Sequence, residues 1–167
     1  ITVREGDQLL EARLTTGNME ILMAVRSGKA IRFPEEKVRP MGRNASGVRA
    51  MTLDTDNDEV VGMVCTDSDQ ESILVVSQNG YGKRTLVEDY RVTNRGGKGV
   101  KTLSITEKTG ELVAIKVVTD EDDLMITTKN GIMIRMEMKE IRVMGRATQD
   151  RKSTRLNSSH SSVSRMP

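Results

Sequence analysis

The sequence predicts an all-β protein built from repeated blades of about four strands each. Three segments align without gaps: ILMAVRSGKAIRF (21–33), ILVVSQNGYGKRT (73–85) and LMITTKNGIMIRM (124–136). Their glycines, Gly28 and its two equivalents, are spaced 52 and 51 residues apart. No stretch keeps a helical apolar period. A β repeat of this length is typical of a propeller blade, with a β-solenoid of longer coils as the alternative.

Each aligned segment predicts a β-hairpin. An apolar run is followed by Ser27-Gly28, Asn79-Gly80 or Asn130-Gly131, and then by alternating residues. Asn-Gly favours a type I′ turn, in which both central residues have positive φ. A β-branched run precedes the later hairpins, at 60–65 and 112–118. The repeat divides the chain into three predicted units, 1–52, 53–104 and 105–149.

The repeat ends at position 150. A Gly-Val pair recurs at 47–48 and 99–100, but Asp150 stands where the third pair is expected. The Ser-rich stretch after it resembles a translated sequencing adapter and contains the only histidine. We therefore interpret 150–167 as a non-native or disordered tail and exclude it from the fold prediction.

Charge alternates in blocks along the chain, although the net charge is only +2. Residues 26–51 hold seven basic and two acidic residues, whereas 52–77 hold seven acidic residues and no basic one. A disordered basic tail would form a single block instead. The single cysteine, Cys65, indicates a reducing cytosol, and no apolar run reaches the ~18 residues of a membrane helix. We expect a cytoplasmic protein without a membrane partner.

Arginine recurs at three positions of the repeat, while the apolar residues between them vary. A planar guanidinium makes bidentate phosphate contacts that lysine cannot make, so these positions predict a band that binds the backbone of duplex DNA. Solvated surface arginines are the alternative, and scarce aromatics argue against single-strand binding. The predicted DNA-binding residues are Arg32, Arg84, Arg135; Arg39, Arg91, Arg142; Arg43, Arg95, Arg146; and, outside these sets, Arg49, Lys83, Lys98 and Lys101.

The sequence offers no catalytic or metal-binding residues. Residues 1–149 contain no histidine and one cysteine, which excludes zinc sites and His-based triads. Gly82-Lys83 is followed by Arg84 where a P-loop requires Ser or Thr. Acid clusters such as Asp54-Asp56-Asp58 could bind Mg²⁺ or Ca²⁺, but they lack the Gly and distal Glu of an EF-hand, so we expect solvated turns. The glycine-rich loop 94–99 is predicted to be a turn that lets a phosphate approach the backbone.

Four stretches resemble the C-terminal domain of the bacterial DNA gyrase A subunit: AIRFPEEKVRPMGRNASGVRAM, NGYGKRTLVEDYRVTNRGGKGVK, TEKTGELVAIKVV and EIRVMGRATQ. The resemblance covers 1–149. It implies a six-bladed β-pinwheel, of which this chain has about three blades, forming an incomplete disc. Such a disc wraps duplex DNA around a basic rim and supports ATP-dependent negative supercoiling by a type II topoisomerase, an isomerase. The topoisomerase IV A subunit has a related domain and is an alternative.

The resemblance also implies partners and cofactors for the parent protein. They are a gyrase B subunit in an A2B2 heterotetramer, with ATP and magnesium on other domains and a nucleoid-associated location. No cofactor is implied for this fragment, which is expected to be non-catalytic. Arg95–Gly99 resembles the signature basic box of the family but lacks its Gln, so we expect binding and bending without a full wrap.

Two further functions remain open from the residues alone. One is a propeller-type protein-interaction platform, which would favour aromatic anchors that are scarce here. The other is an enzyme with a site in a central channel. An incomplete disc exposes strand edges and apolar faces, so self-association is also expected.

Overall fold

Ten strands and three short 3₁₀ helices make up the secondary structure of the described residues, which confirms the all-β prediction. The computed structural model describes residues 1–146 and the backbone of 154–155. The rest of the predicted tail 150–167 therefore lies outside the described residues. The strands are β1 (Glu20–Val25), β2 (Lys29–Pro34), β3 (Val60–Thr66), β4 (Ser72–Ser77), β5 (Tyr81–Leu86), β6 (Val100–Lys101), β7 (Leu112–Val118), β8 (Asp123–Thr127), β9 (Met133–Glu137) and β10 (Thr154–Arg155).

The three predicted hairpins form, as the antiparallel pairs β1–β2, β4–β5 and β8–β9. Each turn ends in a glycine with positive φ, at +84°, +76° and +79° in Gly28, Gly80 and Gly131. Its N–H donates to the carbonyl three residues earlier. The predicted type I′ turn is wrong, because it needs two successive residues with positive φ and only glycines have one among the described residues. The turns are three-residue loops that need only the glycine.

A short 3₁₀ helix follows each hairpin, and the sequence pattern did not predict it. The three helices are Glu35–Lys37, Val87–Asp89 and Met138–Glu140. They are too short to leave a 3.6-residue apolar period. None of the helices in the described part of the chain is long and apolar enough to cross a membrane.

The two four-stranded sheets each combine a hairpin of one sequence unit with strands that follow that unit in the chain. The strand orders are β3-β1-β2-β6 and β10-β5-β4-β7. β3 and β6 belong to the unit 53–104, yet both flank the first hairpin. β7 pairs with β4 in the same register as β3 with β1, including the irregularity at the same point of the strand. Two blades therefore have the predicted four strands. The first draws both outer strands from the unit 53–104, whereas the second draws β7 from the unit 105–149 and β10 from the predicted tail.

The third hairpin has no outer strands among the described residues. β8 and β9 form a sheet of two strands. Residues 8–14, which lie 52 positions before β3, form no strand. They contribute Leu10 and Leu14 to the exposed apolar surface. The third hairpin and residues 8–14 thus lack the strand pairing that the middle of the described chain has.

Two of the core's apolar clusters lie between successive hairpins, and a third packs Ile31, Phe33 and Met51 within the first unit. Leu22 and Ala24 of the first hairpin pack with Ile73 and Val75 of the second. On the other side of the second hairpin, Leu74 packs with residues of the third hairpin and its 3₁₀ helix, including Met138 and Ile141. Alternate residues of β4 therefore face opposite neighbours, as strand geometry requires. The hairpins are stacked, and each seam is an apolar contact between two of them.

Tyr90 lies in the first seam, and its burial raises its pKa to about 12. Its hydroxyl is hydrogen-bonded to Thr102. The unfolded tyrosine ionises near pH 10. The contribution of Tyr90 to the free energy of unfolding is therefore fully present below pH 10 and is lost as the pH rises toward 12. We expect an ultraviolet titration of the folded protein to show a phenol that ionises near pH 12. Tyr90→Phe should remove that late step, and its absence from the titration of the native protein would contradict the burial.

Candidate nucleic-acid interface

Arg32 and Arg84, predicted to bind DNA, lie inside the seams between hairpins. They are 6% and 4% exposed. The Nη1 of Arg32 donates to Val87 O at 2.8 Å and to Tyr90 O at 3.0 Å, carbonyls of the next 3₁₀ helix and its C-terminal cap. The Nη1 of Arg84 donates to the equivalent carbonyl, Met138 O, at 3.0 Å. A phosphate cannot reach either guanidinium. The prediction that these two residues bind DNA is therefore wrong.

Carboxylates complete the environment of these two buried guanidinium groups. Arg32 forms ion pairs with Glu20 and Asp69. Arg84 forms one with Asp120 at 2.7 Å. The acids are more exposed than the arginines, so each buried charge is neutralised at the edge of its seam. The acidic blocks of the sequence therefore serve partly as partners of structural arginines.

Arg95 and Arg146 also hold neighbouring units together. Each binds the unit before its own, whereas Arg32 and Arg84 bind the unit after theirs. Arg95 donates to Lys37 O at 2.9 Å and to Arg49 O at 3.1 Å. Arg146 donates to Asp89 O at 3.0 Å and to Lys101 O at 3.5 Å. The two sets of acceptors are 52 residues apart and are equivalent in the repeat. Both side chains bind the preceding unit.

These contacts explain why arginine recurs in two of the three sets. A guanidinium offers several donors in a fixed plane, and it can bind two carbonyls of a neighbouring backbone at once. The end members of the two sets are solvent-facing: Arg135, with a side chain 71% exposed, pairs with Asp123, and Arg43 is exposed. The prediction of one continuous arginine band is therefore corrected to two sets of seam contacts and one exposed set.

The exposed set consists of Arg39, Arg91 and Arg142. All three are exposed, and their side chains form no hydrogen bond or ion pair with the residues that the structure describes. Backbone bridges lie directly after two of them, from Val92 to Arg32 and from Val143 to Arg84. Arg91 and Arg142 therefore stand at the same place on successive seams. This repetition gives a regular row of cations available to an anion.

Other predicted basic residues divide between the surface and the interior. Arg49, Lys98 and Lys101 are exposed. Lys83 is buried and donates from Nζ to Arg146 O at 2.9 Å, so it supports the second seam. Lys83 leaves the DNA-binding set for the same reason as the two buried arginines. Apart from the ion-paired Arg135 and the seam arginines, the exposed members of the predicted set are Arg39, Arg43, Arg49, Arg91, Lys98, Lys101 and Arg142.

The glycine-rich loop 94–99 packs against the first unit. Gly97 O accepts from Thr52 N at 2.8 Å. Gly99 has a φ of +73°, and a Cβ there would lie 2.5 Å from Ala30 O. Gly99 is thus required by its close approach to a neighbouring strand, and Gly96 by its φ of +84°. At Gly99 the predicted approach of a phosphate is replaced by an approach of protein backbone.

One acid of the cluster at 54–58 is structural and buried. Asp58 accepts hydrogen bonds from Ser27 N and from Glu59 N, both at 3.0 Å, and from the Ser27 hydroxyl. The predicted solvated turn is therefore wrong for Asp58, which holds the first hairpin turn. Asp54 is partly exposed and bound to Lys29, and that hydrogen bond lowers the pKa of its carboxyl. These contacts remove Lys29 from the free cations of the surface.

The sequence matches the family described as DNA gyrase C-terminal domain, beta-propeller, over residues 20–67, 71–119 and 122–149. Each matched stretch begins at or just before a hairpin, and the first two end just after the strand that flanks it. The boundaries of the family repeat therefore coincide with those of the sheets. The predicted units have the same period, but their boundaries fall at other residues.

Known proteins similar to this chain include gyrase subunits and topoisomerase domains. The DNA gyrase A subunit of Staphylococcus aureus (strain MRSA252) is 49% identical over 157 residues, 93% of this chain and 18% of the relative. The chain thus spans less than a fifth of that protein. The C-terminal domain of a DNA topoisomerase IV superposes with a TM-score of 0.81 at 26% identity, covering 87% of this chain and 45% of the other. A gyrase A C-terminal domain gives 0.74 at 23%, covering 84% and 47%.

Proposed function

Since the chain belongs to the DNA gyrase C-terminal domain family, we propose that it binds and bends duplex DNA as a non-catalytic module of a gyrase A subunit. The observation that carries this proposal is the set of exposed arginines at equivalent repeat positions, Arg39, Arg91 and Arg142, of which Arg91 and Arg142 stand at the two seams. Cations at equivalent positions of successive repeats suit a regular polyanion. Arg43, Arg49, Lys98 and Lys101 add exposed positive charge to the same units.

Bending follows from the arrangement of the cations on a stack of blades. Smooth bending of a 20–30 bp duplex by 40–90° costs on the order of 1–6 kcal/mol. Phosphate contacts spread over several seams can offset that cost without reading bases, as they do on a histone core. Three hairpins offer part of a rim, so this chain bends DNA without wrapping it completely.

The role of the parent protein is part of the same proposal. The bent DNA would be delivered to the strand-passage machinery of a type II topoisomerase, supporting ATP-dependent negative supercoiling in the bacterial cytoplasm. The parent would act with a gyrase B subunit in an A2B2 assembly, with ATP and magnesium bound outside this chain. The 49% identity with a gyrase A subunit favours gyrase over topoisomerase IV.

The test is the affinity of the chain for linear duplex DNA across a salt series. If the seven exposed cations each neutralise one phosphate, the log–log slope is expected on the order of −6. Duplexes of unrelated sequence should bind equally, since phosphate contacts carry no sequence information. A flat slope with a folded protein would contradict the proposal and favour an interaction platform for proteins.

A further inference from the structure

The first blade, the sheet β3-β1-β2-β6, groups three lysines with one carboxylate. Lys29 begins β2 and lies directly opposite Lys101 of the edge strand β6. Directly opposed residues of antiparallel strands project from the same face, with Cβ atoms about 4.5–5.5 Å apart. Like charges in this arrangement repel each other. Asp54 forms an ion pair with the Nζ of Lys29, and its negative charge offsets that repulsion.

Lys98 is the third cation of this group and lies in the glycine-rich loop. The backbone N of Thr52 donates to Gly97 O at 2.8 Å, which fastens the segment leading to Asp54 to that loop. The hydrogen bond from Lys29 lowers the pKa of the Asp54 carboxyl, and the positive charge of Lys98 lowers it as well. The carboxylate therefore lies in the field of both lysines.

The loop that carries Asp54 has a second attachment to the first hairpin. Asp58 accepts a hydrogen bond from Ser27 N at 3.0 Å and another from the Ser27 hydroxyl. Asp58 is 7% exposed, so water competes little for these hydrogen bonds, whereas the ion pair of Asp54 lies nearer the surface. Asp54 can therefore leave Lys29 while Asp58 keeps the loop on the hairpin turn.

The second blade forms the same hairpin without a carboxylate at this position. Tyr81 is its equivalent of Lys29, 52 residues further along the chain. The Nζ of Lys108 lies 5.3 Å from the centre of the Tyr81 ring, so a cation–π contact stands where the first blade has an ion pair. Both hairpins keep the same antiparallel register. The pairing of Lys29 with Asp54 is therefore not a requirement of the repeat.

The ion pair is open to exchange with another anion. The side chains of Lys29 and Asp54 are 31% and 34% exposed. An ion pair in contact with water contributes little to stability, because solvent screens it and both side chains lose freedom. A DNA phosphate also carries one negative charge on oxygen acceptors, and a duplex presents one such charge for about each 1.7 Å of its axis. A lysine ammonium binds either anion as a point charge.

We propose that Asp54 occupies a phosphate-binding site formed by Lys29, Lys98 and Lys101, and that the backbone of duplex DNA displaces it. This inference rests on the proposed function and concerns its regulation. In the free chain the carboxylate neutralises Lys29, and it competes with every other anion for the same ammonium. DNA overcomes this competition because its many linked phosphates stay close to the site once one of them is bound. Asp54 thus lowers the affinity for DNA while it stabilises the free chain.

The test compares the duplex affinity of the native chain with that of Asp54→Asn, of Asp67→Asn and of Asp54→Asn combined with Lys29→Gln, across a salt series. Asp67 is the matched control, because it is exposed and its side chain forms no hydrogen bond or ion pair with the described residues. It follows Thr66, at the opposite end of the sheet from Lys29. The separation is about 17 Å at about 3.4 Å per residue, beyond a Debye length of about 10 Å.

We expect Asp54→Asn to raise the affinity about three- to eightfold at 0.1 M salt and to steepen the log–log slope by up to about 0.9, the share of one phosphate contact. Asp67→Asn should change the affinity by less than about twofold, and Lys29→Gln should abolish the gain. Equal gains from both aspartate variants, or a gain that survives Lys29→Gln, would overturn this inference and leave the proposed function standing. Flat slopes in the native chain and in every variant would overturn the proposed function and this inference together.

Discussion

Replacing Arg32 with methionine is expected to lower the melting temperature by about 10 °C, because it breaks a buried charge pair worth about 3 kcal/mol in a chain of this size. The substitution leaves the carbonyl of Tyr90 without its guanidinium donor and Glu20 without its cation. Both groups lie at the seam between the first two hairpins. Arg84→Met should act similarly at the second seam, through Met138 O.

A matched control separates this effect from the loss of any arginine. Arg39→Met removes the same charge at an exposed position, and exposed substitutions usually change stability by less than about 0.5 kcal/mol. Arg32→Lys keeps the charge but loses the planar set of donors, so it should recover less than half of the lost stability. Thermal unfolding followed by circular dichroism measures all three variants. Equal melting temperatures for Arg32→Met and Arg39→Met would refute the structural role.

The joint substitution of Arg39, Arg91 and Arg142 by glutamine is expected to weaken DNA binding by about two to three orders of magnitude at 0.1 M salt. Each phosphate contact contributes about 0.9 to the salt exponent, which corresponds to nearly tenfold in affinity at that salt concentration. The three side chains are exposed, so the fold should be retained. The measurement is a fluorescence titration of a labelled duplex.

The control for this experiment is a second triple variant with the same change in charge. Lys108, Lys116 and Lys129 are also exposed but lie outside the repeated arginine sets. At a Debye length of about 10 Å their removal should change the affinity much less, because a cation distant from the bound phosphates is screened. If the lysine variant lost as much affinity as the arginine variant, net charge rather than the row of arginines would govern binding.

The repeat and the hairpins could be predicted because they depend on local sequence. Gly28, Gly80 and Gly131 mark turns that need a residue with positive φ, and the apolar runs on either side mark strands. The partners of the strands could not be predicted in the same way. β3 precedes the second hairpin in sequence but pairs with the first, and such pairing is decided by packing between distant residues.

The premise that the repeated arginine positions depend on guanidinium geometry is confirmed for two of the three sets, whose side chains bind backbone carbonyls. Arg32 binds carbonyls, not phosphates, and both groups present oxygen acceptors that suit the same planar donor. One signal in the sequence could have separated the two roles. Arg32 lies between Ile31 and Phe33 in a strand that is buried on both faces, whereas Arg39 follows a 3₁₀ helix outside the sheet.

The central claim is that Arg39, Arg91 and Arg142 neutralise phosphates of duplex DNA, while Arg32 and Arg84 hold the seams together. The most direct measurement is the salt dependence of duplex affinity for the native chain and for the exposed triple variant, side by side. The claim predicts a log–log slope that is shallower by about 2.7 in the variant, with an unchanged melting temperature. Parallel slopes for the two proteins would contradict it, because the three arginines would then release no counterions on binding.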